Sequence, residues 1–166
     1  NKKYKFLKKN SNLLDVGAYP GGWSQVSSKI ITSGKILSLD LKEMKSIKNV
    51  SFLKCDFLDE KVKDRVLHFF GKKLDVIISD MAANTTGNSS LDCIRTNQLC
   101  ANVIEFSTSV IKPNGILISK LFMGTDFLEV KKLAKSKFKK VQFFKPEASR
   151  NESRETYIHC TLLNTL

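Results

Sequence analysis

The first part of the chain combines a short strand, a glycine-rich turn and the start of a helix. Leu13, Leu14 and Val16 are typical of a buried strand, and the segment 17–22 reads Gly-Ala-Tyr-Pro-Gly-Gly. A helical pattern begins at Trp23. Glycines let the backbone approach a ligand closely, and the free N–H groups of a helix N-terminus point towards it. This arrangement predicts a ligand-binding turn where a strand gives way to a helix.

The chemistry of that ligand is indicated by Asp15, the acidic residue near the end of the strand. The spacing D-x-G-x-x-P-G-G-W differs from the G-x-G-x-x-G of dinucleotide-binding turns. An acid at this place would repel a pyrophosphate, whereas it would hold a cationic amine. The turn therefore favours S-adenosylmethionine over a dinucleotide, and an ordinary β–α turn is the alternative.

Composition limits the class of protein. The 166 residues suffice for one domain with a sizeable core, and 42% hydrophobic with 27% charged residues is a globular balance. No run of apolar residues is long enough to span a bilayer, and no signal-peptide pattern opens the chain. Because the chain begins at Asn1 rather than at a methionine, we expect further residues in front of it.

The formal net charge of +12 points to a polyanionic partner. Lys and Arg release counterions when they neutralise phosphates, so a basic surface binds nucleic acid. A surface that serves solubility, or one that meets an anionic membrane, is the alternative. Nucleic acid is favoured because the basic residues are clustered and accompany a candidate catalytic site.

The cysteines argue against a metal site and for a reducing compartment. Cys55, Cys93, Cys100 and Cys160 form no C-x-x-C pair, and the two histidines are far apart in sequence. Scattered thiols in a chain without a secretion signal are typical of the cytosol. We therefore expect a cytoplasmic protein without a bound metal.

The remaining chain alternates strands and helices. This alternation predicts a Rossmann-like α/β fold, with a mostly parallel seven-stranded sheet and helices on both faces. The last two predicted strands are joined by a connection without a helical pattern, so we expect the last strand to be antiparallel and inserted into the sheet. Strands are predicted at 12–17, 35–39, 50–54, 74–79, 116–122, 141–144 and 156–162, and helices at 23–32, 59–70, 91–111 and 127–138.

Three acidic residues follow predicted strands. Asp40 lies about 20 residues past the glycine-rich turn, where a doubly wound fold places a carboxylate on ribose hydroxyls. Asp56 ends the third strand and is a candidate acceptor for an adenine amino group, and Asp80 follows the fourth. Lys120 stands inside an apolar strand, where a lysine is costly unless its charge is paired or its pKa falls. Loop carboxylates and a structural ion pair are the alternatives.

Together these motifs resemble the FtsJ/RrmJ-type ribosomal RNA 2′-O-ribose methyltransferases, also called the RlmE family. The resemblance extends over nearly the whole chain, and the order and spacing of several motifs make it specific. The matching segments are 14–25 (LDVGAYPGGWSQ), 38–41 (SLDL), 55–57 (CDF), 78–84 (ISDMAAN), 119–124 (SKLFMG) and 145–157, which opens with KPEASR and closes with SRETY.

The resemblance implies a catalytic Lys-Asp-Lys-Glu tetrad. Asp80, Lys120 and Glu155 match its last three members. The first Lys of the family lies upstream, in a basic helix before the first strand, so we expect that helix to be truncated and treat 1–166 as a single methyltransferase domain. None of the lysines at positions 2–9 is assigned its role. The implied S-adenosylmethionine site consists of Gly21, Gly22, Trp23, Asp40, Asp56 and Asp80.

Three positions depart from the family pattern. Tyr19 stands where the family usually has a small residue, which alters the turn near the cofactor. Ala83 replaces a usual proline and loosens its loop. Met123 replaces a usual glutamine, which puts one polar contact in doubt.

The implied substrate is a ribose 2′-hydroxyl of a uridine in large-subunit ribosomal RNA, within the large ribosomal subunit and without a membrane partner. Lys120 is expected either to accept the hydroxyl proton or to stabilise the oxyanion. Arg150 and Arg154, which flank Glu155, are candidate phosphate contacts, whereas the lysines of 131–140 contact RNA or form a solvated face. We expect a monomer. The alternatives are a methyltransferase for tRNA or an mRNA cap and a catalytically impaired RNA-binding or ribosome-assembly module.

Overall fold

The computed structural model describes residues 5–124, 126–146 and 153–164. Seven strands and four helices alternate along these residues. No helix among them is both long and apolar enough to cross a bilayer. In chain order the elements are β1 (Leu13–Val16), α1 (Gly22–Ile30), β2 (Ile36–Asp40), β3 (Ser51–Lys54), α2 (Val62–Phe70), β4 (Leu74–Ser79), α3 (Ser89–Val110), β5 (Ile111–Phe122), α4 (Phe127–Lys137), β6 (Phe138–Phe144) and β7 (Glu155–Leu163).

The seven strands form one sheet in the order β3-β2-β1-β4-β5-β7-β6. The first five strands pair in parallel, whereas β7 is antiparallel to both β5 and β6. The predicted architecture, with the last strand antiparallel and inserted, is therefore confirmed. The chain progresses outwards from β1 to β3 and then returns to β4, so the strand order reverses between β1 and β4. In open α/β sheets a crevice for ligands forms at such a point.

Two hydrophobic clusters cover the two faces of the sheet. Val76 and Ile78 belong to the face that is covered by α1, whereas Ile77 belongs to the face under α2, α3 and α4. Side chains alternate between the faces of a strand, and a sheet that is buried on both faces needs apolar residues at successive positions. This is why the strands appear in the sequence as short continuous apolar runs.

Most predicted boundaries differ from the structure by one to three residues, and the start of β5 differs by five. The helix that was expected to end at 111 ends at Val110, and β5 begins at Ile111 instead of residue 116. Ile111 pairs with Leu74, whereas Ile116 pairs with Val76, so the residues between them form an irregularity in the ladder. A proline is tolerated at such a bulge. The Pro-Asn-Gly signal at 113–115 therefore marks a bulge within the strand rather than a loop before it.

Candidate active site

A cleft of about 550 Å³ lies at the carboxyl ends of the parallel strands, where the strand order reverses. Its lining includes Gly17 after β1, Asp40 at the end of β2, Asp56 after β3, Asp80 after β4 and Lys120 near the end of β5. The structure thus brings four of the predicted site residues, three acids and a lysine, into one cavity. Their common origin is the parallel sheet, which places the ends of successive strands along one edge.

Gly17 allows the close approach that shapes this cleft. Its φ of +73° lies in the left-handed region, and an added Cβ would come within 2.5 Å of Met81 Cγ and 3.1 Å of the Met81 backbone. Only glycine avoids both the backbone strain and the collision. The turn after β1 therefore lies directly against the loop after β4.

Asp40 is held in a fixed orientation by the backbone around it. Its Oδ2 accepts the N–H of Tyr19 at 2.9 Å, and its Oδ1 accepts the N–H of Lys42 at 2.8 Å. Each carboxylate oxygen can accept a further hydrogen bond. Asp56 is oriented similarly, since its Oδ1 accepts the N–H of Leu58 at 2.9 Å. Both carboxylates can therefore receive hydroxyl or amino groups of a ligand in the cleft.

Lys120 lies between two carboxylates. Its Nζ is 2.9 Å from Asp80 Oδ1 and 4.0 Å from Glu155 Oε2, and its side chain is 13% exposed. The register explains the cluster, because Ser79, the residue before Asp80, pairs with Ser119, the residue before Lys120. Lys120 itself pairs with Tyr157, two residues after Glu155. The charge of this half-buried lysine is therefore compensated, and its amine stays at the edge of the cleft.

Tyr157 completes the cluster and was not singled out by the sequence. Its hydroxyl donates to Asp80 Oδ1 at 2.6 Å and lies 3.1 Å from Glu155 Oε1. Burial and the two carboxylates raise the pKa of Tyr157, so the hydroxyl remains a donor. The ring stacks on Trp23 and on Phe144, with centroids 5.6 and 5.7 Å apart. The sequence does contain a signal for Tyr157, because it lies two residues after Glu155 and alternate residues of a strand share one face.

Asn97 supports the cluster from α3. This side chain is fully buried, and its Oδ1 accepts the N–H of Phe122 at 2.7 Å. Its Nδ2 donates to the Phe122 carbonyl and to Asp126 Oδ1, both at 2.9 Å. Asn97 therefore fixes the end of β5 two residues after Lys120. No sequence pattern predicts this contact, because it joins residues far apart in the chain.

The three predicted cofactor residues of the glycine-rich turn, Gly21, Gly22 and Trp23, do not line the cleft. Gly21 has a φ of +111° at the start of α1, and an added Cβ would meet Met44 Sδ at 2.9 Å. Gly22 and Trp23 line a separate apolar depression of about 300 Å³, which also includes Phe144. The structure does not bring these two residues to the cleft. Trp23 is linked to the Lys120 cluster through its stacking on Tyr157.

Asp15 lies beneath the cleft rather than in it. Its side chain is buried, its Oδ2 accepts the Ser24 hydroxyl at 2.5 Å, and Ser24 Oγ is 2.7 Å from Ser38 Oγ. Its other oxygen has no hydrogen-bond partner among the described residues. Burial, with smaller contributions from the charges of Asp80 and Asp40, raises the pKa of Asp15 to about 7. The expectation that this acid holds a ligand amine is therefore not supported, because Asp15 instead fastens α1 to the sheet.

Of the two predicted phosphate contacts, Arg154 is described by the structure and is exposed. Its carbonyl oxygen accepts the N–H of Met123 at 2.8 Å, which places Arg154 beside the end of β5. Arg150 lies outside the described residues. Arg154 is thus the predicted phosphate contact that the structure locates, at the same edge of the sheet as Lys120.

Known proteins resemble this chain in sequence and in fold. A sequence model described as FtsJ-like methyltransferase matches residues 1–162. The protein named ribosomal RNA large subunit methyltransferase E of Pelagibacter ubique is 40% identical over 163 residues, which cover 98% of this chain and 80% of that protein. Its namesake from Rickettsia akari is 42% identical over 164 residues, which cover 95% of this chain and 72% of that protein.

Solved structures extend the comparison. A ribosomal RNA methyltransferase structure from Plasmodium falciparum has a TM-score of 0.87 and 31% sequence identity, covering 98% of this chain and 91% of its own. A Streptococcus mutans methyltransferase in complex with SAH has a TM-score of 0.59 and 14% sequence identity. The match covers 94% of this chain and 88% of that protein. The second likeness is one of fold alone.

Proposed function

This chain belongs to the FtsJ-like methyltransferase family, and from that premise we propose that it methylates a ribose 2′-oxygen of large-subunit ribosomal RNA with S-adenosylmethionine. The names of the Pelagibacter and Rickettsia relatives support the choice of RNA. The observation that carries the proposal is the Lys120 amine, held 2.9 Å from Asp80 at the edge of a ligand-sized cleft.

The cleft suits S-adenosylmethionine in size and in chemistry. Its volume of about 550 Å³ lies within the range of ligand pockets, roughly 300–1,000 Å³. Asp40 would accept the ribose hydroxyls, Asp56 the adenine amino group, and Asp80 would face the positively charged end of the molecule. An acidic cleft favours a cationic ligand over a pyrophosphate. When bound, S-adenosylmethionine supplies an activated methyl group with a neutral thioether as leaving group.

The residues of the chain then have to position the acceptor and manage its charge. Transfer requires the 2′-oxygen close to the methyl carbon and in line with the leaving sulfur, so holding the ribose in place accounts for much of the rate. The oxygen gains negative charge as its proton passes to solvent water. Lys120 lies between two carboxylates, which suits an ammonium ion, so the geometry favours stabilisation of the oxyanion over proton abstraction. Asp80, Glu155 and Tyr157 orient the lysine.

Two measurements test the proposal. Calorimetry should show that S-adenosylmethionine binds the chain while NAD does not. Methyl transfer from labelled S-adenosylmethionine should be detected on unmethylated large ribosomal subunits and should be far weaker on tRNA and on capped mRNA. Preferential transfer to tRNA or to the cap would replace the proposed substrate. Failure to bind S-adenosylmethionine would contradict the enzyme assignment. Binding of S-adenosylmethionine and RNA without methyl transfer would instead indicate an RNA-binding module.

The role of Lys120 is tested by one substitution. Lys120→Ala should abolish methyl transfer and leave the affinity for S-adenosylmethionine within a few-fold, because the amine acts on the acceptor oxygen rather than on the cofactor. Lys63→Ala is the matched control, since Lys63 is an exposed lysine on α2 outside the cleft. Activity of the Lys120 variant within a few-fold of the unchanged chain would reject the assigned role.

We also propose that the protein is a monomer and that it acts in the cytoplasm, where ribosomal subunits are assembled. The ribosomal RNA in the names of its relatives supports the location. Light scattering of the purified chain, alone and with large subunits, would test the stoichiometry, and a stable dimer would contradict it.

A further inference from the structure

Six exposed lysines lie at the end of the sheet opposite the cleft, which we call the sheet base. The sheet base consists of the first residues of the parallel strands and of β6, with the segments that lead into them. Three pairs of exposed lysines occur there, before β1, before β4 and in β6. They are Lys8, Lys9, Lys72, Lys73, Lys139 and Lys140.

Two acidic side chains towards this end of the sheet are paired with other lysines. Asp75 Oδ1 lies 2.5 Å from Lys112 Nζ, and Glu105 Oε2 lies 3.1 Å from Lys137 Nζ. Within the part of the chain that the structure describes, none of the six exposed lysines forms an ion pair. Their positive charge is therefore available to an external anion.

Protection of a sheet edge explains only part of this charge. β6 is an edge strand, and lysines on edge strands prevent pairing with another chain. The other two pairs, Lys8–Lys9 and Lys72–Lys73, precede β1 and β4, which lie inside the sheet and have no free edge to protect. The lysine row is thus a property of the whole sheet base.

We propose that the sheet base is a second RNA-binding surface, separate from the cleft, which binds phosphates of the RNA that the cleft methylates. This inference rests on the proposed function. From β1 to β6 the row crosses four strand spacings of about 4.8 Å, so it extends over roughly 19 Å. A nucleic acid strand carries one phosphate per ~3.4 Å, and such a row can therefore contact several phosphates at once. A shallow depression lined by Lys139, Lys140 and Asn164 continues the row at the β6 end.

The two RNA-binding regions are far apart. Lys73 precedes Asp80 by seven residues along β4, which corresponds to about 23 Å in a parallel strand. A short single strand in the cleft cannot reach the sheet base without passing around the protein. The surface therefore fits a second segment of a folded RNA, such as the interior of a ribosomal subunit provides.

A pair of triple variants tests the surface. Lys73, Lys139 and Lys140 are changed together to Gln in the test variant. Lys45, Lys61 and Lys63 are changed to Gln in the matched control, which removes the same charge from exposed lysines elsewhere. Binding of both variants to a long fluorescein-labelled RNA hairpin is measured at several salt concentrations, and the KM for methyl transfer to unmethylated large ribosomal subunits is measured in parallel.

We expect the test variant to bind the hairpin about tenfold more weakly and to show a salt slope shallower by about 2–3, because each lysine on a phosphate contributes roughly one unit. Its KM for subunits should rise similarly at unchanged kcat, whereas the control should change little. Equal losses in the two variants, or no loss in either, would overturn the inference. The inference would also be overturned if the unchanged chain bound phosphatidylglycerol vesicles more tightly than RNA and the test variant lost this vesicle binding. That result would assign the surface to a membrane.

The proposed function and this inference fail in different ways. Absence of methyl transfer to subunits by the unchanged chain would contradict the proposed function, while a hairpin-binding defect confined to the test variant would still support the surface. Efficient transfer with the same KM in all three proteins would contradict the surface alone. Melting curves of the variants serve as the control for unfolding. We expect unchanged melting temperatures, because all six substituted lysines are exposed.

Discussion

At the scale of single residues, the site depends on hydrogen bonds to carboxylates. Tyr157 donates to Asp80 and approaches Glu155, so one hydroxyl restrains both carboxylates that surround Lys120. Its ring is fixed in turn by stacking on Trp23 and Phe144. Tyr157 thereby transmits the packing of α1 and β6 to the amine at the edge of the cleft.

Removal of the Tyr157 hydroxyl should slow methyl transfer without lowering the affinity for the cofactor. Tyr157→Phe keeps the stacked ring, and loss of a hydrogen bond of about 1 kcal/mol corresponds to a roughly fivefold fall in kcat. The affinity for S-adenosylmethionine, measured by calorimetry, should stay the same. Phe144→Leu is the control, because it removes a stacked ring and keeps the hydroxyl. An unchanged kcat in Tyr157→Phe would show that Asp80 and Glu155 orient the lysine unaided.

Asp15 makes stability depend on pH in an unusual direction for an acid. In the folded chain its carboxyl keeps its proton up to a pKa of about 7, whereas the ordinary value is 3.8. Between these values the folded state holds more protons than the unfolded state. The free energy of unfolding therefore falls as the pH rises through this window, by up to ~4 kcal/mol from this group.

Asp15→Asn should remove that dependence, since an amide does not titrate. The melting temperature of the variant relative to the unchanged chain should increase by at least about 5 °C from pH 5 to pH 8, given ~2–4 °C per kcal/mol for a chain of this size. Calorimetric melts at both pH values measure the difference. Parallel changes in the two proteins would mean that Asp15 is ionised in the folded chain.

At the scale of elements, the cleft exists because β1 and β4 end in loops that lie against each other. The contact between Gly17 and Met81 sets their separation, and the hydrogen bonds from Tyr19 and Lys42 to Asp40 join the same turn to β2. The ends of three strands are thus connected through backbone groups. A cofactor bound there contacts a preformed wall rather than side chains that must first be ordered.

A methyl group at Gly17 should disturb this wall. Gly17→Ala places a Cβ against Met81 at a φ of +73°. Gly71→Ala is the control, because Gly71 has a similar φ of +68° at the end of α2 with open space around it. In both variants the strained backbone should lower the free energy of unfolding by about 1–2 kcal/mol. In Gly17→Ala crowding should lower it by about 1–3 kcal/mol more. Only Gly17→Ala should weaken binding of S-adenosylmethionine. Denaturant unfolding and calorimetry measure these effects, and equal stability losses would argue against the collision.

The sequence was most informative where chemistry and strand ends coincide. Asp40, Asp80 and Lys120 could be placed because parallel strands bring their ends to one edge, and β7 could be inserted because no helix precedes it. Asn97 and the burial of Asp15 could not be predicted, since both depend on contacts between distant elements. The bulge at 113–115 was missed for a similar reason, because only pairing with β4 shows that Ile111 belongs to the strand.

At the scale of the whole molecule, opposite charges occupy opposite ends of the sheet. Asp40, Asp56 and Asp80 line the cleft, whereas the sheet base carries lysines without acidic partners among the described residues. The separation would let phosphates remote from the acceptor ribose bind away from the carboxylates of the cleft. It also means that the net charge of +12 understates the basicity that an RNA meets at the sheet base.

The position of β7 has a consequence for biosynthesis. Among the elements that the structure describes, this strand is synthesised after all the others, and it lies between β5 and β6. Until it enters, β5 and β6 lack their common neighbour, and Lys120 lacks Glu155 and Tyr157. A chain that stops before β7 therefore contains the acidic residues of the cleft but not the complete Lys120 cluster, which is assembled only when β7 enters the sheet.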